Sequence, residues 1–430
     1  MNKYISFFIV LTLNFQAAKA QDIHQIISTT EVARVVGVLA SDEMEGRKTF
    51  TKGIDKAAAF IADEFKQTGL QTLNGNGNFL QSFKMVRPKF VAASAVLDLL
   101  PVATKNIIAI SCKPELLINE QSGYELVRIV KGDNFSSEAR KYSNLSKNRV
   151  VLVDSSFAAN FGRLTQLKSQ LFLSDKSVVF ILTNQIPVTY TIQAKHIINE
   201  MSLTNVVGIL PGKTLPNEYV IFSGHYDHLG VNSKNAVNND SIYNGANDDA
   251  AGTTAMMLLA KYYAATRDNE RSIIFAAFTA EEMGGYGATY FSQQLNPAEV
   301  KAMFNIEMIG TESKWGKNSA YITGFDKTDM GKILEQNLAG TVFKFYPDPY
   351  PDQNLFYRSD NATLARLGVP AHTISTSKMD SEPNYHQFSD EVSTLDIPNM
   401  TEIIKSIALS AKSIISGKST PSRVDTSSLK

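Results

Sequence analysis

The stretch FSGHYDHLG (residues 222–230) links a strand pattern to a cluster of polar side chains. It completes the apolar run EYVIFSG (218–224), which is typical of a buried strand, and adds two histidines and an aspartate directly after it. The whole chain contains only six histidines. Because side chains two positions apart in an extended chain point the same way, Asp227 can support the imidazole of His225, as carboxylates do behind metal-binding histidines.

Strand and helix patterns alternate along the chain from residue 205 onward. The strand patterns after EYVIFSG are RSIIFAAF (271–278), AMFNIEMIG (302–310) and PAHTIST (370–376). The helix patterns are AAGTTAMMLLAKYYAAT (250–266), GYGATYFSQQL (285–295) and NATLARLG (361–368). This alternation predicts an α/β fold in which a mostly parallel mixed sheet is covered by helices on both faces. Sheets of this kind bind ligands at the carboxyl ends of their strands.

The first 20 residues have the layout of a cleaved signal peptide. Lys3 precedes a nine-residue apolar core, ISFFIVLTL (5–13), and small residues at 18–20 precede a cleavage point before Gln21. This core is shorter than the ~20 apolar residues that a membrane-spanning helix needs. We therefore expect an exported protein, periplasmic or extracellular, without stable membrane insertion. Because Cys112 is the single cysteine of the chain, the protein has no internal disulfide to stabilise its fold.

Composition indicates one large domain that a smaller one interrupts. The segment 95–195 contains short β-branched runs, such as NRVVLVD and SVVFILT, and these runs carry no histidine or close acidic pair. We interpret it as an inserted, strand-rich accessory domain, and the alternative is that its strands extend the main sheet. The predicted organisation is a signal peptide (1–20), a first part of the main domain (21–94), the insertion (95–195), the main part (196–416) and a disordered tail (417–430).

The overall charge gives no indication of a polyanionic partner. Acidic and basic residues number 42 each, so the formal net charge is zero. The chain has neither a basic stripe nor an acidic block, and we therefore expect no nucleic-acid partner. The sequence does not indicate an oligomeric state.

Acidic residues and a second histidine occur in or near the other strand ends, within NDDAAG, FTAEEMGG, FNIEMIG and EPNYHQFSDE. The candidate set, in chain order, is His225, Asp248, Asp249, Glu281, Glu282, Glu307 and His386. Singly, these residues have simpler explanations, because an aspartate before a helix can cap it and a lone histidine is usually structural. Glu307 is the exception, since a carboxylate in an apolar strand is costly unless it is paired or metal-bound. Together they form a nitrogen and oxygen set suited to zinc, while cobalt or manganese would also fit.

The order HYD, NDDAAG, AEE, NIEMIG and YH resembles that of the secreted dizinc exopeptidases, the family of bacterial leucine aminopeptidases and glutamate carboxypeptidase. The resemblance covers about 205–415, and LASDEMEGR (39–47) with AAAFIADEF (57–65) near the start is also similar to that family. Residues 95–195 resemble, less specifically, the protease-associated domain often inserted there.

The resemblance implies two zinc ions. His225 and His386 would each bind one ion, and Asp248 would bridge the two. Glu282 and Glu307 would complete the protein ligands. Two such ions would polarise the scissile carbonyl and lower the pKa of a bridging water.

The resemblance also implies catalytic roles for three further residues. Glu281 would be the general base that takes a proton from the water and passes it to the leaving amine. Tyr385 would stabilise the tetrahedral oxyanion together with a metal. Asp227 would orient the first histidine, and Asp249 and Asp390 would be supporting carboxylates.

One residue departs from the pattern of that family. The aminopeptidases usually carry aspartate where this chain has Glu307. We expect the longer side chain to be able to bind a metal still, with a change in the metal spacing or in the contacts with a substrate amine. The departure therefore concerns aminopeptidase specificity more than metal binding.

The function implied is a zinc-dependent exopeptidase that hydrolyses short peptides, with an aminopeptidase favoured. Three different functions would also use this fold: a carboxypeptidase or dipeptidase of the same family, a one-zinc glutaminyl cyclase, and a non-catalytic binding protein. Retention of both histidines and of every carboxylate favours two metals and hydrolysis. Metal content separates the peptidases from the other two functions. A hydrolase of this family would hold two ions, a glutaminyl cyclase one ion, and a binding protein none.

Overall fold

The structure, a computed structural model, describes residues 22–75 and 77–429. The predicted signal peptide (1–20) lies outside the described residues. The described chain divides into two compact units. The first unit contains the described residues of 22–48, 52–79 and 206–429, and the second contains 49–51 and 80–205.

The α-helices of the described chain are short to medium in length, and none is long and apolar enough to cross a membrane. Several begin at a polar side chain that accepts a backbone hydrogen bond, as Ser28 does from Glu31 and Asp396 from Asn399. In chain order the helices are α1 (Ile23–Ile26), α2 (Thr29–Leu39), α3 (Lys52–Thr68), α4 (Phe135–Ser143), α5 (Ala158–Phe161), α6 (Gly252–Thr266), α7 (Tyr286–Gln293), α8 (Met330–Asn337), α9 (Asn361–Ala365), α10 (Ile397–Ser410) and α11 (Lys412–Ile415).

The strands occupy both units. In chain order they are β1 (Gln71–Thr72), β2 (Leu80–Leu97), β3 (Leu100–Val102), β4 (Ile107–Ser111), β5 (Glu115–Asn119), β6 (Glu125–Ile129), β7 (Arg149–Val153), β8 (Leu171–Phe172), β9 (Ser177–Leu182), β10 (Tyr190–Leu210), β11 (Leu215–His225), β12 (Gly230–Val231), β13 (Ile242–Tyr243), β14 (Arg271–Phe278), β15 (Val300–Ile306), β16 (Ser319–Ile322), β17 (Lys344–Pro347) and β18 (Ala371–Ser375).

The first unit is built on a mixed sheet with the order β17, β16, β18, β15, β11, β14, β10. Strand β11 pairs in parallel with β14 and β15, and β15 pairs in parallel with β18. Antiparallel pairs join β10 to β14 and β16 to β18. The predicted α/β fold with a mostly parallel mixed sheet covered by helices is confirmed. Because β11, β14 and β15 run the same way, their carboxyl ends meet at one edge.

The core of the first unit lies on both faces of this sheet. Val220 and Phe222 of β11 belong to the apolar cluster that includes α2, α3, α6 and α10. Ile221, between them, packs in the opposite cluster with Phe291 of α7 and Leu364 of α9. This alternation follows from the two-residue period of a strand. Complete burial of one such side chain contributes roughly 1.5–3 kcal/mol to folding.

The second unit contains two sets of strands with their own cores. Strands β4, β9, β7 and β6 form a four-stranded sheet, while residues 190–205 of β10 lie beside β2 and β5. This unit extends beyond the segment 95–195 outlined from the sequence, because β2 begins at Leu80 and β10 is continuous to Leu210. Residues 206–210 of β10 belong to the first unit. The parts of these strands that lie outside 95–195, residues 80–94 of β2 and 196–205 of β10, contain many polar side chains. A search for apolar runs therefore does not detect them.

The chain after residue 416 differs from its prediction. The sequence predicts a disordered tail (417–430), but the structure describes 417–429 packed on the first unit. The buried guanidinium of Arg271 donates a hydrogen bond to the carbonyl of Ser419 at 2.7 Å, and Arg423 donates one to the carbonyl of Val300 at 2.9 Å. The polar composition of this segment does not predict that it packs on the first unit. The acceptors in these contacts are backbone carbonyls, which every residue type carries.

Candidate metal centre and active site

The candidate residues come together at the carboxyl edge of the first sheet. His225 is the last residue of β11, Glu281 and Glu282 follow the end of β14, and Glu307 comes directly after β15 rather than within it. Asp248 lies in the turn of helix that leads into α6. The structure thus brings together the ends of three neighbouring parallel strands, as the topology requires.

Asp248 lies between two histidines. Its Oδ1 is 3.1 Å from Nε2 of His225, and its Oδ2 is 3.3 Å from Nε2 of His386. The same nitrogen of His386 is 3.2 Å from Oε2 of Glu282. The two oxygens of one buried carboxylate therefore face different histidines, which is the arrangement that a ligand bridging two metal positions would need.

The donor atoms form two groups of metal-binding size that share Asp248. One contains His225, Asp248 and Glu307, and the other contains His228, Asp248 and Glu282, with the donor atoms of each group within 4.8 Å of one another. Oε2 of Glu307 and Nε2 of His228 are buried without a hydrogen-bond partner among the described residues. The orphaned oxygen of Glu307, in a nitrogen and oxygen group of this kind, fits a divalent cation such as zinc.

Sequence reasoning missed His228. It stands in the same stretch as His225 and is buried in the structure, with Nδ1 2.8 Å from Oε1 of Glu282. The rarity of histidine in this chain was the signal that could have identified it. The strand pattern drew attention to the first histidine only, because His228 lies beyond the extended segment.

The side chain of Asp227 does not make the predicted hydrogen bond to the imidazole of His225. Its carboxylate is 3.8 Å from Nδ1 of His225, which is too long for a hydrogen bond, and Nδ1 instead lies 3.1 Å from the backbone carbonyl of Asp227. The carboxylate accepts hydrogen bonds from the backbone N–H groups of Glu281 at 3.0 Å and Glu282 at 3.4 Å. Burial raises the pKa of Asp227 to about 6. The side chain thus holds the pair of glutamates, and the main chain holds the imidazole.

Two further carboxylates support the backbone around the centre. Asp249 accepts hydrogen bonds from the backbone N–H groups of His225 at 3.2 Å and of Met308 at 3.0 Å, which links the ends of β11 and β15. Asp390 accepts hydrogen bonds from the backbone N–H groups of Asn247 and Asp248 at 2.8 and 3.0 Å. Both carboxylates therefore accept hydrogen bonds from backbone N–H groups of, or next to, the candidate donor residues.

Neighbouring glutamates have opposite electrostatic environments. Burial raises the pKa of Glu281 well above its ordinary value. Burial acts in the same direction on Glu282, but hydrogen bonds from His228 and His386 outweigh it and lower the pKa of Glu282 to about 2. Environments that push the pKa values of adjacent carboxyls apart are typical of sites in which the two have different tasks.

A cavity opens beside the donors. Its lining includes Glu281, Glu307 and His386 together with Tyr385, whose ring stacks on the neighbouring imidazole at 4.0 Å between centroids. Burial raises the pKa of the Tyr385 phenol, which keeps its hydrogen available for donation. The rest of the wall mixes polar with apolar or aromatic side chains: Met308, Tyr321, Thr323, Leu355, Arg358, Ser359, Thr373, Ser375 and Met379. A small ligand bound here would touch Glu281, Tyr385 and the metal donors at once.

The part of the chain that carries these donors matches a known family. Residues 205–411 match the family model described as Peptidase family M28. A probable zinc metalloprotease of Pyrenophora teres f. teres is 34% identical over 115 residues, covering 26% of this chain and 23% of that protein. A probable leucine aminopeptidase of Trichophyton verrucosum is 28% identical over 223 residues, covering 50% of this chain and 58% of that protein.

The fold is shared with a solved structure along nearly the whole chain. A zinc aminopeptidase from Bacillus subtilis has a TM-score of 0.54 at 14% identity, covering 92% of this chain and 97% of that one. Fold and donor cluster thus define an α/β protein of metallopeptidase architecture. Residues 205–411 match the model of peptidase family M28, and the predicted family resemblance is confirmed. The matched segment spans about a quarter of the length of the Pyrenophora relative.

Proposed function

We propose that this chain is a zinc-dependent aminopeptidase that hydrolyses short peptides. The observation that supports this most is the position of Asp248, shared by two donor groups beside a cavity that Glu281 also lines. A structural metal site would be closed by protein donors, whereas these groups border an accessible cavity.

The first zinc position would be held by His225, Asp248 and Glu307, and the second by Asp248, Glu282 and His386. Zinc bound there would act as a Lewis acid towards the scissile carbonyl and would lower the pKa of a water molecule. Cobalt or manganese would suit the same donors. The count of two ions is part of the proposal.

The remaining steps belong to side chains of the cavity. Glu281 has no histidine partner among the described residues, and its backbone N–H is held by Asp227, so its carboxylate is available to take a proton from the attacking water and deliver it to the leaving amine. The phenol of Tyr385 would donate a hydrogen bond to the oxyanion. Neither step requires these side chains to leave the cavity in which they lie.

Substrate choice follows from the character of the wall. Carboxylates of the cavity lining suit the ammonium group of a free amino terminus, and Met308, Tyr321 and Leu355 suit an apolar first side chain. Arg358, at the same cavity, favours the second candidate, a carboxypeptidase that binds a terminal carboxylate.

A matched peptide panel tests the proposal. Free-amine and N-acetylated versions of the same leucine-containing tripeptides would be assayed with the zinc-loaded protein, before and after chelation. We expect cleavage of the free-amine series from its amino end, loss of activity on chelation, and recovery when zinc is returned. Cleavage of the acetylated series from the carboxyl end, with no cleavage of the free-amine series, would favour the carboxypeptidase.

Metal content distinguishes a dizinc peptidase from a glutaminyl cyclase and from a binding protein. Elemental analysis of the zinc-loaded protein should give two ions per chain. One ion with cyclisation of amino-terminal glutamine would identify a glutaminyl cyclase, and no ion would identify a binding protein.

Export is a further part of the proposal, and it is supported by the layout of residues 1–20. Mass spectrometry of the protein recovered outside the cytoplasm should give a chain that starts at Gln21. An intact amino terminus in the cytoplasmic fraction alone would exclude it.

A further inference from the structure

The two oxygens of Glu282 have different partners. Oε2 is 3.2 Å from Nε2 of His386, which is itself 3.3 Å from Oδ2 of Asp248. Oε1 is 2.8 Å from Nδ1 of His228. Only Oε2 therefore points to the place where His386 and Asp248 converge, and Oε1 is occupied by a second imidazole.

His228 is held firmly where it meets Glu282. Its side chain is fully buried, and its backbone N–H donates to the carbonyl of Arg47 at 3.2 Å. Gly245 lies against the ring, since a Cβ at this residue would come within 2.5 Å of Cδ2 of His228. The φ of +57° at Gly245 also favours glycine. These contacts hold the ring with Nδ1 towards the glutamate.

We propose that His228 is a positioning residue for the second metal position, where its Nδ1–H hydrogen bond turns Oε2 of Glu282 towards the metal. The inference rests on the proposed dizinc function. A carboxylate free to rotate would lose conformational entropy on binding the ion, and a hydrogen bond to its other oxygen removes that loss beforehand. Hydrogen bonds of this kind to metal ligands typically change metal affinity by about 10–100-fold.

The contact geometry favours this role over direct metal ligation through Nδ1 of His228. Direct ligation through Nδ1 would break the 2.8 Å hydrogen bond and leave Oε1 of Glu282 without it. A buried carboxylate oxygen that loses its partner is costly. His386 already supplies an imidazole nitrogen on the side of Oε2.

The test is a competitive titration of metal-free protein with zinc against a chromophoric chelator. It resolves the affinity of each position without measuring catalysis. The wild type is compared with H228A, H228N and H228Q. The amide nitrogen of asparagine replaces Nδ1 of histidine, whereas that of glutamine replaces Nε2.

We expect H228A to bind the second zinc about 10–100-fold more weakly while the first zinc is bound as in the wild type. H228N should recover most of the lost affinity, because it restores the hydrogen bond to Oε1 of Glu282. H228Q should recover less of this zinc affinity than H228N. The difference between H228N and H228Q tests the inference even where H228A does not fold.

A matched control comes from another buried histidine of the first unit. His372 on β18 bonds to Thr328 and to the carbonyl of Thr323, away from the donor groups. H372A should lower the melting temperature and leave both zinc affinities as in the wild type. Equal weakening of zinc binding in H372A and H228A would show a general packing effect and overturn the inference.

The outcomes separate the inference from the function on which it rests. A wild type that binds only one zinc contradicts the dizinc function itself. Two zinc ions in the wild type, with unchanged second-site affinity in H228A, overturn the role of His228 alone. Loss in H228A that H228N fails to recover would make His228 a direct ligand, which also overturns the positioning role.

Discussion

At the scale of single residues, the pair Glu281 and Glu282 shows how neighbours of identical chemistry acquire different tasks. Glu282 is bonded to His228 and His386, while Glu281 lines the cavity. We predict that Glu281→Gln retains zinc and loses turnover by about 10²–10⁴-fold, the usual contribution of a general base. Zinc content and initial rates with a free-amine peptide measure both effects.

Glu282→Gln is the matched control for this prediction. It should bind zinc more weakly, and excess zinc should restore part of its activity. If Glu281→Gln loses zinc and Glu282→Gln retains it, the two roles are reversed.

Asp360 is a second residue whose environment has a measurable consequence. It is 1% exposed, neither carboxyl oxygen has a hydrogen-bond partner among the described residues, and burial raises its pKa to about 8. The folded state therefore holds this proton more tightly than the unfolded state. The stability that results is complete below about pH 4 and is lost as the pH rises through 8.

We predict that Asp360→Asn raises the free energy of unfolding of the metal-free protein at pH 8.5. The gain is on the order of 1–3 kcal/mol, the cost of a buried group without a partner, and it shrinks at pH 5.5. Urea denaturation at the two pH values measures it. The exposed Asp326 provides the control, since D326N should change stability by less than about 0.5 kcal/mol at either pH. An Asp360→Asn effect that does not depend on pH would contradict the prediction.

At the scale of elements, Arg47 joins three segments of the first unit through side-chain hydrogen bonds. Its guanidinium, which is 0% exposed, donates to the carbonyls of Leu39, Tyr226, Asn244 and Gly245. These acceptors belong to the end of α2, the turn after β11 and the loop that precedes the π-helical turn carrying Asp248. The short segment before α3 thereby fixes the two loops that carry the histidines and the bridging aspartate.

We predict that Arg47→Met lowers the free energy of unfolding by about 3–5 kcal/mol, because four buried carbonyls lose a charged donor. Chemical denaturation of the metal-free protein measures the loss. Arg34→Met is the control, since the ion pairs of Arg34 with Glu31 and Glu64 lie at the surface, where the Arg34 side chain is 41% exposed, and should contribute under about 1 kcal/mol. Comparable losses in both variants would show that Arg47 has no special role.

At the scale of the whole molecule, the carboxyl-terminal segment belongs to the folded body. We predict that deletion of residues 418–430 lowers the free energy of unfolding by about 1–3 kcal/mol, since the buried Arg271 loses two acceptors. Thermal unfolding measures the change. Deletion of 425–430 alone keeps the contacts of Arg271 and Arg423 and should have a smaller effect. Equal effects of the two deletions would contradict this account.

Metal binding should also stabilise the whole first unit, because the donors come from distant parts of the chain. We predict that free zinc at 100 times its dissociation constant raises the free energy of unfolding by about 2.7 kcal/mol per site. Melting curves of metal-free protein over a zinc series measure the increase. E282Q should show a smaller increase at each concentration, and an equal one would argue against Glu282 as a ligand.

Patterns in the sequence were enough to predict the α/β class, the succession of strands and helices after residue 205, and the candidate donors at the strand ends. The periodicity of apolar residues along the chain predicts each strand and helix. The fold class then places the carboxyl ends of the parallel strands at one edge of the sheet. The insertion limits were less accessible, because the ends of β2 and β10 alternate polar and apolar residues.

The contacts between individual atoms could not be predicted in this way, because they depend on how distant segments pack. Nδ1 of His225 meets a backbone carbonyl, the Asp227 carboxylate holds the N–H groups of two glutamates, and His228 bonds to Glu282. Each contact depends on the path of a loop to within about an ångström, and a hydrogen bond is lost over that distance. Sequence periodicity predicts that a residue lies at the end of a strand. Its hydrogen-bond partner depends on the packing of residues that are distant in the chain, such as Arg47 and Gly245.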